Sequence, residues 1–61
     1  MLKIEIKTEN AAFSENDKLT RDGRYELAEN LKIIADMIKN GENSCEIWDY
    51  NGNKVGKWEV N

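Results

Sequence analysis

Leu2, Ile4 and Ile6 alternate with Lys3, Glu5 and Lys7, the period of two by which a strand turns one face to a core and the other to water. This predicts a first strand over 2–7. Thr8 to Ala12 suit an exit turn, and Phe13 is expected to pin that loop to the core. Residues 14–23 hold a single large apolar side chain, Leu19, and read as a mobile loop. A structureless stretch of that length is uncommon in a compact domain and points to either function or disorder. Across 24–40 the apolar spacing changes to 3.6, with Leu27, Leu31, Ile34 and Ile38 on one side of a helical wheel. Asp22 is the expected N-cap, and Asn40-Gly41 supplies the left-handed residue on which helices commonly stop. Ala28 and Ala35 flank the stripe on one side, allowing close approach to a sheet. Ile33 and Met37 flank it on the other, widening the apolar arc beyond what one small sheet covers.

After Gly41 come two β-rich runs, 44–50 and 54–60, joined through Asn51-Gly52, the strongest short-range hairpin signal. A two-residue type I′ loop sets Asp49 opposite Lys54, Trp48 opposite Val55, Ile47 opposite Gly56, Glu46 opposite Lys57 and Cys45 opposite Trp58. Two of these pairs join opposite charges across strands, which supports the register. The fold class expected is α+β, with element order β-α-β-β: a three-stranded antiparallel sheet in spatial order 2-3-1, one helix packed on one face. The helix is expected to cover Leu2, Ile4, Ile6, Cys45, Ile47 and Trp58, leaving Trp48, Tyr50 and Val55 among charges on the outer face.

At 61 residues, a chain buries only about 60% of the surface its unfolded form exposes, enough for a single small domain over 1–61. Charged residues make up 34% and hydrophobic ones 39%, so the core has little to spare. The net charge of −3 opposes binding to a phosphate backbone. With no His and one Cys, a zinc site, a Cys-His or Ser-His nucleophile pair and an intrachain disulfide are all missing, and no cofactor is expected. Cys45 reads as a reduced thiol filling a core strand. The N-terminus shows no signal-peptide pattern and no apolar run approaches the roughly 20 residues that span a bilayer, so a cytoplasmic protein without membrane contact is expected.

The blocks Thr8-Glu9-Asn10-Ala11-Ala12-Phe13 and Asp49-Tyr50-Asn51-Gly52-Asn53-Lys54-Val55-Gly56-Lys57-Trp58-Glu59, with Glu26-Leu27-Ala28, Ile34-Ala35-Asp36 and Gly41-Glu42-Asn43-Ser44 between them, run almost end to end. In combination they resemble a widespread family of very small phage and prophage proteins of unknown function. The resemblance implies an accessory protein acting in a bacterial host cytoplasm. It implies no reaction.

Absent chemistry and surplus apolar surface together lead to the expectation of a non-enzymatic protein-interaction module, with inhibition of a host defence or regulatory protein as its most concrete form. Trp48, Tyr50 and Val55 are the expected protein-binding surface, since exposed aromatics with a charged rim are typical of interface hot spots; the alternatives are that they only shield the sheet, or that the register is off by one and they are core. Ile33 and Met37 are expected to meet either a partner or a second copy in a homodimer, unless the long loop folds over them. Glu9, Glu15, Asp17 and Asp22 form either an acidic strip or simply a solvated loop. Lys3, Lys7, Lys54 and Lys57 interleaved with Trp48 and Tyr50 suggest a weak single-stranded nucleic-acid binder as a second class, although Glu5, Glu46 and Asp49 cancel much of that field. A virion assembly accessory is a third.

Overall fold

A computed structural model describes residues 1–61. In chain order the elements are β1 (Leu2–Ile6), β2 (Ser14–Glu15), β3 (Lys18–Leu19), α1 (Arg21–Lys39), β4 (Ser44–Trp48) and β5 (Lys54–Val60). β1, β5 and β4 make a three-stranded antiparallel sheet, and β2 with β3 a separate two-stranded one. The element list is therefore longer than β-α-β-β. Counted over five strands, the sheet order is β1-β5-β4, where the expected 2-3-1 is counted over three; the C-terminal strand lies between the other two. Overall dimensions of 36 × 21 × 14 Å describe a thin two-layer slab. No helix is long and apolar enough to cross a membrane.

The expected mobile loop over 14–23 is the first correction. Asn16 and Asp17 both take positive φ, 52° and 64°, which is what a two-residue type I′ turn requires, and β2 and β3 pair directly across them. Asn and Asp tolerate this region because their short polar side chains bond locally. The helix then starts three residues earlier than expected, at Arg21. Its cap is Thr20 and not Asp22: Thr20 Oγ1 accepts from Gly23 N–H at 2.8 Å. Asp22 sits in the first turn instead, where its negative charge complements the positive end of the helix dipole. The far end matches expectation. Gly41 takes φ +95°, its N–H donates to the Ile38 carbonyl and that of Glu42 to Met37, the paired bonds of a Schellman stop.

Burial along α1 runs through Gly23, Asn30 and Ile34, with Leu27, Met37 and Ile38 partly covered. This stripe is rotated from the expected one, so Leu31 is exposed, as are Ala28 and Ala35. Gly23 provides the close approach that the alanines were expected to give: a Cβ there would lie 1.8 Å from the Phe13 carbonyl oxygen. The core comprises Ala12, Phe13, Ile34, Ile47, Val55 and Trp58. Phe13 is fully buried, as its role of loop anchor requires. Leu2 and Ile4, expected under the helix, are exposed, because α1 and the Ala12-Phe13 loop leave the outer half of β1 uncovered.

Between β4 and β5 the expected register holds for Cys45↔Trp58, Glu46↔Lys57 and Ile47↔Gly56, then slips. Trp48 pairs with Lys54, not Val55, across a bulge. The cause is the turn. Only Gly52 takes positive φ, at +83°, so the Asn51-Gly52 loop is not type I′. Asp49 and Asn53 face each other instead, closed by Asp49 N–H to the Asn53 carbonyl at 2.9 Å and Gly52 N–H to the Asp49 carbonyl at 3.1 Å. This longer turn leaves one residue of β5 unmatched, and Val55 enters the core at 4% exposure. The expected Asp49–Lys54 pair is not made; Lys54 reaches Glu46 at 3.2 Å.

Candidate functional site

Two features stand apart from ordinary packing: a polar clasp whose central carboxylate is fully bonded and an apolar groove that nothing fills.

The clasp centres on Asp49, which is buried at the start of the turn. One of its carboxylate oxygens, Oδ1, accepts from the backbone N–H groups of Asn51 and Asn53, each at 2.9 Å. Oδ2 accepts from Asn10 Nδ2 at 3.0 Å and from Asn53 Nδ2 at 3.3 Å. The backbone bond from Asn53 does most to hold the carboxyl below its ordinary value of 3.8; burial pushes the other way, and the bonds from the Asn53 side chain, Asn51 and Asn10 add to the lowering. Asn10 in turn closes its own loop, with Oδ1 accepting from Ala12 N–H and its carbonyl from Phe13 and Ser14. Ser14 Oγ donates back to the Thr8 carbonyl. The clasp thus ties the loop before Phe13 to the hairpin 39 residues away. Both oxygens of the Asp49 carboxylate are engaged twice within the fold, so the clasp is scaffolding.

The groove lies between the second half of α1 and β4, with a volume of about 260 Å³. Asn30, Ile33, Ile34 and Met37 form its helical wall, residues 45–48 of β4 the opposite wall, and Trp58 the floor. Ile33 and Trp48 on its rims are 56% and 51% exposed, and Met37 is half-buried between them and the core. Two expected surfaces therefore become one: Trp48 from the sheet and Ile33 with Met37 from the helix converge on the same hollow. The other two expected residues do not join them. Tyr50 is exposed at the hairpin tip, away from the groove walls. Val55 is withdrawn from any binding surface, because the bulge turns it inward.

Two polar atoms at the groove stand out. Asn30 Nδ2 and Trp58 Nε1 are buried without a hydrogen-bond partner, in residues only 9% and 1% exposed. Buried donors are normally satisfied, and an orphan costs about 1–3 kcal/mol. Neither was expected from the sequence as a binding residue. The signal for Asn30 was present: it stands three residues after Leu27 and four before Ile34, a polar residue on the apolar stripe.

The rest of the surface offers less. Across the outer sheet face Lys3 pairs with Glu59 and Glu5 with Lys57, while Lys54 bonds Glu46, so charges alternate in sign. No three His, Cys, Asp or Glu side chains converge as a metal would require. Total accessible surface is 4776 Å², against roughly 4,100 Å² for a folded monomer of this mass, so the chain carries surplus exposed area. Comparison with protein-family models, with curated proteins and with solved structures finds no match.

Proposed function

We propose that this chain is a non-enzymatic protein-interaction module which binds its partner through the groove between α1 and β4. In keeping with the resemblance in its sequence, the setting proposed is that of a phage or prophage accessory protein acting stoichiometrically on a host or phage protein, a host defence or regulatory factor being the form this reading favours. The observation that carries the reading is the convergence of Trp48, Ile33 and Met37 on one apolar hollow that nothing in the chain covers. Tryptophan is enriched among residues that dominate binding energy, and an aromatic at the edge of a desolvated pocket is a common anchor. The alternating charges of the outer sheet face provide no basic track, which favours a protein partner over nucleic acid.

The test is capture from bacterial lysate by the immobilised chain. Trp48→Ala combined with Ile33→Asp changes two side chains that are more than half exposed, so the circular-dichroism spectrum should be retained. Capture should fall at least tenfold. Capture at the wild-type level would remove the groove as the binding surface.

A further inference from the structure

We infer that the groove is a strand-docking site: an extended segment of a partner polypeptide lies beside β4 as a fourth strand, its apolar side chains beneath Ile33 and Met37 and one side-chain oxygen accepting from Asn30 Nδ2 as that amide turns into the groove. This rests on the protein-interaction reading and specifies the partner's chemistry.

β4 is an edge of the sheet, and its main chain on that side is unpaired. Bonds at its two ends reveal which groups are free. Val60 N–H donates to the Asn43 carbonyl and Asp49 N–H to the Asn53 carbonyl. Odd-numbered residues therefore face β5, and by the alternation of an antiparallel ladder the N–H and C=O of Ser44, Glu46 and Trp48 point to the free edge. Such an edge is a ready template for another strand unless charge, proline or a covering element blunts it. β4 has only Glu46 and no proline.

The shape of the groove matches that edge. Residues 45–48 point alternately to the two faces of the sheet, yet all four line the hollow, so the space runs alongside the strand and not over one face of it. Ile33 and Met37 overhang it from the helix layer, above the place where a fourth strand's inward side chains would lie. At about 260 Å³ the space falls below the roughly 300–1,000 Å³ of sites for drug-sized ligands, and suits one or two side chains. Main-chain bonds to Glu46 and Trp48 with pockets for alternate side chains are the recognition mode of strand addition.

The orphan donors specify the occupant further. Asn30 and Trp58 line the groove, and their unpartnered N–H groups lie just beneath its surface; an Asn, Gln, Asp or Glu at one inward position among apolar neighbours satisfies the Asn30 amide once it turns outward. Charge argues against a second copy. An antiparallel pairing of β4 with itself centred on Glu46 would set that carboxylate against its own image, and like charges directly opposed destabilise. A basic residue on the partner's outward face meets Glu46 favourably.

The experiment pans a ribosome-displayed library of random heptapeptides against the immobilised full chain. Enriched sequences should alternate, with apolar residues and one oxygen-bearing side chain at every second position. The leading peptide should slow amide exchange at Ser44, Glu46 and Trp48 at least tenfold and leave β1 unchanged. Glu46→Pro removes an N–H that β5 does not use, and proline is tolerated at such an edge position, so the fold should persist while peptide binding falls at least tenfold. Methylating the peptide's own edge-facing amides should abolish binding to the unaltered chain, whatever Glu46→Pro does to the fold. Enrichment without alternation, protection on β1, or full binding by both altered forms overturns strand addition. Sedimentation showing a wild-type dimer and a monomeric, folded Glu46→Pro chain makes the occupant a second copy and also overturns it. If folded Glu46→Pro still captures the lysate partner while Trp48→Ala with Ile33→Asp does not, strand addition falls and the protein-interaction reading stands.

Discussion

The clasp around Asp49 and the groove beside β4 use similar materials to opposite ends. In the clasp, the side-chain amides of Asn10 and Asn53 both donate to the Asp49 carboxylate, and the backbone N–H groups of Asn51 and Asn53 are drawn in as well. In the groove wall an asparagine of the same kind, Asn30, is buried with its amide nitrogen unpartnered, and the Trp58 indole nitrogen repeats the fault. A small fold with total stability of about 3–9 kcal/mol has little room for two orphans at about 1–3 kcal/mol each. The contrast separates a region shaped for stability from a region left open for contact. Natural folds break local rules mostly at functional sites and compensate elsewhere.

The sharpest way to break the comparison lies on the closed side. Gly23 is in α1, where alanine is ordinarily the better residue by about 1 kcal/mol. Here a methyl group would strike the Phe13 carbonyl, backbone against backbone, with no flexible side chain to yield. Gly23→Ala should therefore destabilise by about 1–3 kcal/mol, the range for overpacked sites. For a domain of this size each kcal/mol shifts the melting temperature by roughly 4–8 °C. A thermal melt with Tm raised would mean that the loop before Phe13 gives way easily, and the closed region would lose its claim to rigidity.

The next effect is of opposite sign and lies on the open side. Asn30→Leu replaces a buried, unpartnered amide with an apolar group of similar shape, in a helix that prefers leucine. Stability should rise by about 1 kcal/mol, read as a higher urea midpoint with unchanged slope. Capture of the lysate partner should weaken. A lower midpoint would show that Asn30 is satisfied by solvent, and the two regions would then differ in shape alone.

How far the sequence carried these features depended on the range of the interaction. The first strand, the helix stop at Gly41 and the core part of the hairpin register follow from periods and turn chemistry within a few residues. The β2–β3 turn was legible too: Asn16-Asp17 is a pair that tolerates positive φ, but the sparse apolar content around it masked the signal. The clasp was not legible, because the Asn10 to Asp49 bond spans 39 residues and competes with the local preference of Asn51-Gly52 for a two-residue turn. That lost competition shifted the register by one residue and moved Val55 from surface to core. Trp48, Ile33 and Met37 were each picked out by exposure on their own element. Their meeting depends on how α1 lies across β4, which no local pattern encodes. The two longest blocks that carry the family resemblance map onto the clasp and its hairpin, whereas Asn30, Ile33 and Met37 of the groove's helical wall fall outside every block.

The smallest expected effect near neutrality concerns the charge of Asp49. Its folded-state pKa is lowered, first by the Asn53 backbone bond, so the carboxylate form is favoured by folding. A group of this sign stabilises the fold above its unfolded value, close to 3.8, and loses that contribution as pH falls through the lowered folded value. From pH 5 to 8 the clasp should therefore add no slope to stability. Below about pH 4 the protein should weaken, and the protonated carboxyl, now a donor at one oxygen, should release one of its amide partners. Asp49→Asn should flatten that acid limb while keeping one acceptor oxygen in place. Denaturant titrations of both chains from pH 2 to 7 make the comparison, and amide exchange at Asn51 and Asn53 reports the release directly. An acid limb of equal steepness in the two chains would assign it to other carboxylates and leave the clasp as a hydrogen-bonded turn whose charge does not matter.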